Sequence, residues 1–450
     1  MFPAFSTALS ALTADTAAID VTGNNLANLN TSGFKAGQVN FYDMMAESLG
    51  AASGSQVGGG VLPISTFTNY SQGAVIGTGV STDAAIQGNG FFVLQNSSNQ
   101  TLYTRDGSFQ MSPNGYLTDA NGNYVQGWLA TDGTVTPSGP TSSIRVPTDS
   151  TMAASATTTM SMNVNLDALS SSTPNTYSAP IQVYDSLGNA QTLTVTFTES
   201  TTTPNTWTYA VTIPSSALGS SSSSSGSSTT TSTTTSVGTG TLTFNTSGEL
   251  TGVTQTTPTP SSSSGSSSGS SSGSTANTGP VTLSSGTTNL ADGAAPLNVS
   301  WSLFSGSGTP QISQYSEASA ENSTTQNGYA AGTLTNMTLG AGGTVSATYS
   351  NGQNVAIAQL ALANISNPNS LTQVGNNDLE VSSTTAAPVL GAAGSGSLGQ
   401  IEGSSLESST VDMATEFTNL LAYQNSYQAA SKVITTADQL MQDTVNLIQS

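Results

Sequence analysis

Leu406, Met413, Leu420, Tyr427, Ile434, Met441 and Ile448 form one row at seven-residue spacing, and no glycine or proline interrupts it. Phe417, Tyr423, Ala430, Ala437, Leu440 and Leu447 widen the apolar face. A helix through these positions would be about 65 Å long at 1.5 Å per residue. It cannot bury such a stripe against itself. It needs a partner, and a sustained seven-residue period favours a coiled coil.

The other end of the chain supplies a candidate partner. Between Ala4 and Asn30, Phe5, Leu12, Ile19 and Leu26 also stand seven apart, with Leu9 and Leu29 at flanking offsets. This spacing sets one stripe on one side of a helix. Pro3 suits the helix's first turn and Gly33 its exit. Gly23 costs about 1 kcal/mol relative to alanine in a helix interior, so a bend or fraying is expected there. The rows could belong to two separate core helices of one globular domain. Their matching period argues instead that the termini pair with each other, and antiparallel pairing would bring the first and last residues close.

Between the ends the pattern changes to β. Alternating or β-branched runs occur at Gly90–Leu94, Gln182–Tyr184, Thr192–Phe197, Thr206–Ile213, Gly240–Phe244 and Asn354–Leu362. Asn114-Gly115, Asn121-Gly122, Leu187-Gly188-Asn189 and Asn351-Gly352 are turn signals between such runs. Several small antiparallel β domains are expected. Two tracts, about Ser215–Thr235 and Ser261–Ser274, are nearly pure Ser, Thr and Gly and read as exposed flexible loops of an outer β domain.

The chemistry available to the chain is narrow. Only 6% of its 450 residues are charged, the formal net charge is −20, and the basic side chains are Lys35, Arg105, Arg145 and Lys432. Four scattered cations do not make a nucleic-acid or anionic-membrane surface, and no apolar run reaches the ~18 residues of a membrane span. Cysteine and histidine are absent, which removes disulfides, thiol nucleophiles, Cys/His zinc sites and the imidazole base. Gly394-Ser395-Gly396-Ser397-Leu398-Gly399 fits a dinucleotide fingerprint in letters only, because no βαβ unit surrounds it; a flexible linker is the better reading. Asp119-Ala120-Asn121-Gly122-Asn123 starts like a calcium loop, but Tyr124 and Ala130 occupy the positions that require Gly and Glu, so a β-turn is expected. A Ser–Lys pair would need Lys35 or Lys432, both at the helical ends, and no pair of acids is singled out for glycoside hydrolysis. Neither an enzyme nor a cofactor is expected.

Val21-Thr22-Gly23-Asn24-Asn25-Leu26-Ala27-Asn28-Leu29-Asn30-Thr31-Ser32-Gly33-Phe34-Lys35 resembles the signature of the flagellar rod, hook and hook-associated axial proteins, N-N-[LI]-A-N-x-N-T-x-G-[FY]-K. Asn24, Asn25, Ala27, Asn28, Asn30, Thr31, Gly33, Phe34 and Lys35 carry the match. Short amides suit a helix end and turn, and glycine permits positive φ. Leu406–Met413, Ala422-Tyr423-Gln424 and Ser431–Asp438 are similar to the C-terminal helix of the same family. Ala85–Phe92 and Arg105-Asp106-Gly107-Ser108-Phe109 are shared with rod proteins. Val183–Asn189, Trp207, Gln326-Asn327-Gly328-Tyr329 with Gly332, and Tyr349-Ser350-Asn351-Gly352 resemble hook subunits.

The resemblance implies an α+β multidomain chain, its long terminal α-helices pairing as a coiled coil, with two mainly antiparallel β domains inserted between them. The expected parts are a helical core domain at 1–32 and 404–450, a linker at 33–70 and about 399–403, an inner β domain at 71–147 and 321–398, and an outer β domain at 148–320. It further implies a structural subunit that polymerises with itself into a curved tube passing motor torque to the filament. A distal rod protein is the alternative, and an enzyme or adhesin a more remote one. Implied partners are the distal rod protein, the hook cap, the hook–filament junction protein and the flagellar type III export apparatus. The implied location is the flagellar hook and basal body, reached without a cleaved signal. Phe5-Ser6-Thr7-Ala8-Leu9 matches the family's F-x-x-x-hydrophobic export element, so Phe5 and Leu9 are candidates for that role as well as for the helical stripe.

Overall fold

The computed structural model describes residues 2–44, 47–48, 56–57, 59–62, 65–131, 133–148, 151–169, 174–219, 234–256, 279–286 and 288–449. Most of the first Ser/Thr tract (220–233), all of the second (within 257–278) and the side chain of Ile448 lie outside the described residues. The chain divides into two compact units. The first comprises 1–149, 334–348 and 352–450, and the second 150–333 and 349–351.

The first unit carries both termini. Helix α1 spans Phe2–Ala27 and α2 spans Met413–Gln449. The amphipathic period gives both their helical form, and α1 continues unbroken through Gly23. Asp412 caps α2, its Oδ1 accepting the Thr415 N–H at 2.7 Å. That cap corrects the expected start of the C-terminal helix. Leu406 is not helical. It lies in strand Ser405–Glu407, paired antiparallel with Val75–Gly77 so that Leu406 faces Ile76. The reason is Glu407, whose carboxylate is bonded inside the β body and holds this segment extended. The helix starts only where the Asp412 cap is free to form, and α2 is about 55 Å long.

The β body of the first unit is a sheet in the order Leu334–Leu339, Thr344–Tyr349, Asn354–Leu360, Tyr124–Thr131, Phe91–Gln95, Thr101–Thr104, Asp378–Glu380, Thr372–Gly375. Its central strand explains the run Phe91-Phe92-Val93-Leu94. Alternate side chains serve two cores: Phe92 and Leu94 pack with Ile86, Phe109, Leu117 and Leu360, whereas Phe91 and Val93 pack with Tyr103, Trp128 and Leu379. Gly107 is required here, because a Cβ would collide with the Ala84 carbonyl oxygen. Gly394–Gly399 differs from the expected linker. It is a hydrogen-bonded turn, with Gly394 N donating to Gly399 O and Gly399 N to Asn89 O. Strand Gln400–Gly403, expected in the linker, pairs with Ala84–Gln87.

The second unit contains a meander of Thr176–Tyr184, Ala190–Glu199, Thr206–Pro214, Thr234–Phe244 and Leu250–Thr256, each antiparallel to the next. Another sheet orders Val281–Ser284, Asn298–Ser302, Thr159–Asp167 and Ile312–Tyr315. Alternation along Thr159–Asp167 and Thr206–Pro214 sends Met160, Met162, Trp207 and Tyr209 into one core with Phe197 and Trp301. Thr159–Asp167 runs parallel to two of its neighbours, a departure from the antiparallel expectation. Strand Ala320–Gln326, which a boundary at 320 would assign to the inner domain, pairs with Thr159–Asp167 here. The first hairpin is closed by Asp185, whose Oδ1 accepts the N–H groups of Leu187 and Asn189 while Gly188 turns at φ +88°.

Candidate functional site

The family-like signature and the segment before α2 converge on one buried carboxylate. Glu407, 1% exposed, accepts a 2.6 Å bond from the Lys35 ammonium on Oε1 and a 3.3 Å bond from the Arg105 guanidinium on Oε2. The Gly73 N–H adds a 2.7 Å bond to Oε1. Lys35 also donates to the Ser71 carbonyl, and Arg105 donates to the Gly88 carbonyl while lying over the Phe91 ring at 5.2 Å. Burial pulls the Lys35 ammonium below its ordinary range. Glu407 opposes that shift, and Arg105 adds to it. Burial likewise lowers Arg105 against the pull of Glu407. The arrangement is a clamp: two cations and a backbone N–H hold one carboxylate inside the protein.

The backbone around the clamp is stitched just as closely. Gly33, at φ +69°, donates its N–H to the Glu407 carbonyl, and a Cβ there would press on the Arg105–Asp106 backbone. Thr410 N donates to Phe34 O, and Ala36 N to Thr410 Oγ1. The signature asparagines divide the remaining work. Asn25, buried, exchanges two bonds with the Gly37 backbone and donates to Glu416 Oε1 on α2. Asn28 donates to the Asn24 carbonyl and accepts from Thr31 Oγ1, closing the turn after α1. Asn24, Ala27 and Asn30 are exposed.

A cavity of about 640 Å³ lies beside the clamp, lined by Asn28, Lys35, Asp106, Asn121, Asn377 and Asp378. Its floor is acidic. Burial, then Asp119 and then Asp106 push the Asp378 carboxyl up to about 7, against a bond from Asn123. Asp106 is raised as well, chiefly by burial. Asp119 itself accepts the N–H groups of Asn121 and Asn123 on Oδ1, which is the geometry of a side-chain-closed turn.

The helices form the other half of the site. The Asn25–Glu416 bond sets the end of α1 beside the start of α2, so the two run antiparallel in contact. The face that α1 buries is not the expected one. Ala8, Asp15 and Thr22, seven apart, are buried together with Ala14, Ala18 and Asn25. Phe5 is 40% exposed, Leu9 is exposed, and Leu12 and Ile19 are only half-buried. Small side chains let two helices approach closely, which selects the small face over the large one. On α2, Leu420, Tyr423, Ala430, Ile434 and Ala437 are half-buried, whereas Met413, Phe417, Leu421, Tyr427, Val433, Leu440 and Met441 are exposed.

Four stretches match described families. Residues 5–35 match the flagella basal body rod protein family, and 85–165 the flagellar hook protein FlgE/F/G D1 domain. Residues 147–329 match the flagellar basal body protein FlaE D2 domain, and 402–447 the flagellar basal body rod FlgEFG protein C-terminal family. The flagellar hook protein FlgE of Salmonella typhimurium is 33% identical over 98% of this chain and 99% of its own length. The chain belongs to the flagellar hook protein family. The FlgE proteins of Escherichia coli K12, 32% identical over 99% of this chain and 100% of its own length, and of Treponema pallidum, 31% over 95% and 96%, agree. It is therefore a structural hook subunit of the flagellum, and the distal-rod alternative is not favoured.

For a hook protein, the clamp is the part that sequence reasoning misses. Lys35 is singled out by the signature and Arg105 by its own motif, but Glu407 falls in a segment whose spacing reads as helical. The available signal is scarcity. With four cations in the chain, two of them fixed within family motifs, a buried acid to receive them is the expected complement.

Proposed function

We propose that this hook subunit polymerises with itself through α1 and α2, which pair as a coiled coil, and that the resulting curved tube passes motor torque to the filament. The observation that carries this reading is the division of faces on α1. Its small side chains are used within the subunit, and Phe5, Leu9, Leu12 and Ile19 retain exposed apolar area for neighbouring copies. A head-to-tail contact through that row, its rotation not closing, would propagate a filament. The inner and outer β domains and their linker, as divided in the sequence, form the outer wall in this reading. The distal rod protein, hook cap, junction protein and type III export apparatus are its partners, and Phe5 and Leu9 serve export before assembly.

Electron microscopy of the concentrated, purified chain tests the proposal. The wild type should form short curved tubes. Ile19→Asp and Leu420→Asp should abolish them while leaving the β units folded, as read by near-UV circular dichroism. Tubes from both variants in wild-type yield would exclude the helices as the assembly contact.

A further inference from the structure

Asp15 is the anomaly in the helical seam. It is 5% exposed, and its Oδ2 atom, shielded from solvent, has no hydrogen-bond partner. One turn away on the same side of α1 stand Ala11, Leu12, Ala18 and Ile19, none of which carries a side-chain polar group to answer it. From α2 it faces the Tyr423 phenol, itself raised by burial, then by Glu416 and then by Asp15. Glu416 adds a second carboxylate to the same seam, occupied by Asn25. Among the described residues no cation stands at salt-bridge distance from Asp15, and both ion pairs are those of Glu407.

Two effects therefore weaken the α1–α2 contact in a single subunit. Its buried α1 face is mostly alanine and small polar side chains, which remove little apolar area from water. A carboxyl oxygen shut away from both water and any donor opposes the packing that buries it. We propose that Asp15 is a brake on helix pairing, holding α1 and α2 of a lone subunit short of a stable pair until neighbouring copies cover the large apolar row of α1. Buried polar groups at helix seams are known to trade stability for control of pairing. The inference rests on the assembly reading above.

Hydrogen exchange on the full-length chain, kept dilute enough to remain monomeric, tests it. Asparagine matches aspartate in helix propensity, so Asp15→Asn changes charge and little else. Asp20→Asn, on the exposed side of the same helix, is the control. Protection of α1 amides should rise about tenfold or more in Asp15→Asn and stay unchanged in Asp20→Asn. Protection within about twofold of wild type in Asp15→Asn would overturn the proposal. So would wild-type α1 amides that already exchange as slowly as those of strand Phe91–Gln95. Tube formation is scored separately at high concentration. A wild type that never polymerises counts against the assembly reading, whereas the role of Asp15 stands or falls on exchange in the monomer.

Discussion

The Lys35 ammonium and the Glu407 carboxylate, 372 positions apart in the chain, meet at 2.6 Å with almost no solvent contact. Lys35 follows the turn after α1, and Glu407 precedes α2. The pair therefore ties both helical roots to the β body at one point, and Arg105 supplies the β body's own hold on the same carboxylate.

Removing the shared acid should hurt more than removing either cation. Glu407→Gln leaves two buried cations without a counter-charge, and breaking a buried pair this way costs about 3–5 kcal/mol. Lys35→Met keeps Arg105 on Glu407 and replaces the ammonium with an apolar tip of similar length, so its cost should be about 1–2 kcal/mol. Urea unfolding of the purified chain measures both. Equal losses would mean that Glu407 does not act as the hub.

The acidic floor of the neighbouring cavity gives a pH dependence of definite sign. Asp378 is raised to about 7 in the folded chain. Its contribution is fully present below the ordinary aspartate range near pH 4 and is lost as pH rises through about 7. Asp378→Asn should therefore stabilise the chain by roughly 1–3 kcal/mol at pH 8, by about a third of that at pH 5, and have little effect near pH 4. Thermal melts at pH 8 and pH 4 decide the matter, and a variant equally stabilised at both would contradict the assignment to Asp378.

Two glycines should respond in opposite ways. At Gly23 nothing lies within reach of an added Cβ, and the residue sits inside α1. Gly23→Ala should raise the helical signal of the chain and stabilise α1 by about 1 kcal/mol. At Gly107 a Cβ has no room beside the Ala84 carbonyl, so Gly107→Ala should shift the strands it joins and cost about 3 kcal/mol or more. Circular dichroism at 222 nm and the melting temperature report the two effects.

What can be read from the sequence follows what is periodic. The two helices and the strands at Thr206–Pro214 and Phe91–Gln95 are legible because their apolar positions repeat at the period of the element they form. The outer hairpin is legible from Asp185 to Asn189, where turn chemistry is local. The buried face of α1 is not. Periodicity scores size and apolarity, and the seam here consists of Ala8, Asp15, Ala18 and Thr22, which no hydrophobic count selects. The extended start at Leu406 is hidden for a related reason. Leu406 fits the seven-residue row, but Glu407 next to it is committed to partners at 35 and 105, a long-range demand that overrides local helical preference. The parallel pairing of Thr159–Asp167 leaves no local signature, because it depends on strands far later in the chain.

Assembly should also respond to salt in a way the charge inventory determines. Lys35 and Arg105 are consumed inside the protein, which leaves Arg145 and Lys432 to face neighbours in a chain of formal net charge −20. Copies brought into contact therefore repel, and few ion pairs can form between them. Raising ionic strength from about 0.05 M to about 0.5 M shrinks the Debye length from roughly 14 Å to roughly 4 Å and removes most of that repulsion without weakening apolar contact. The concentration of free subunit left in equilibrium with tubes should fall, by about tenfold or more across that range. An interface built on salt bridges would behave in the opposite sense, its free subunit concentration rising with salt. Sedimentation of tubes at a series of salt concentrations distinguishes the two, and an increase in soluble subunit would show that Arg145, Lys432 or both are engaged across the contact.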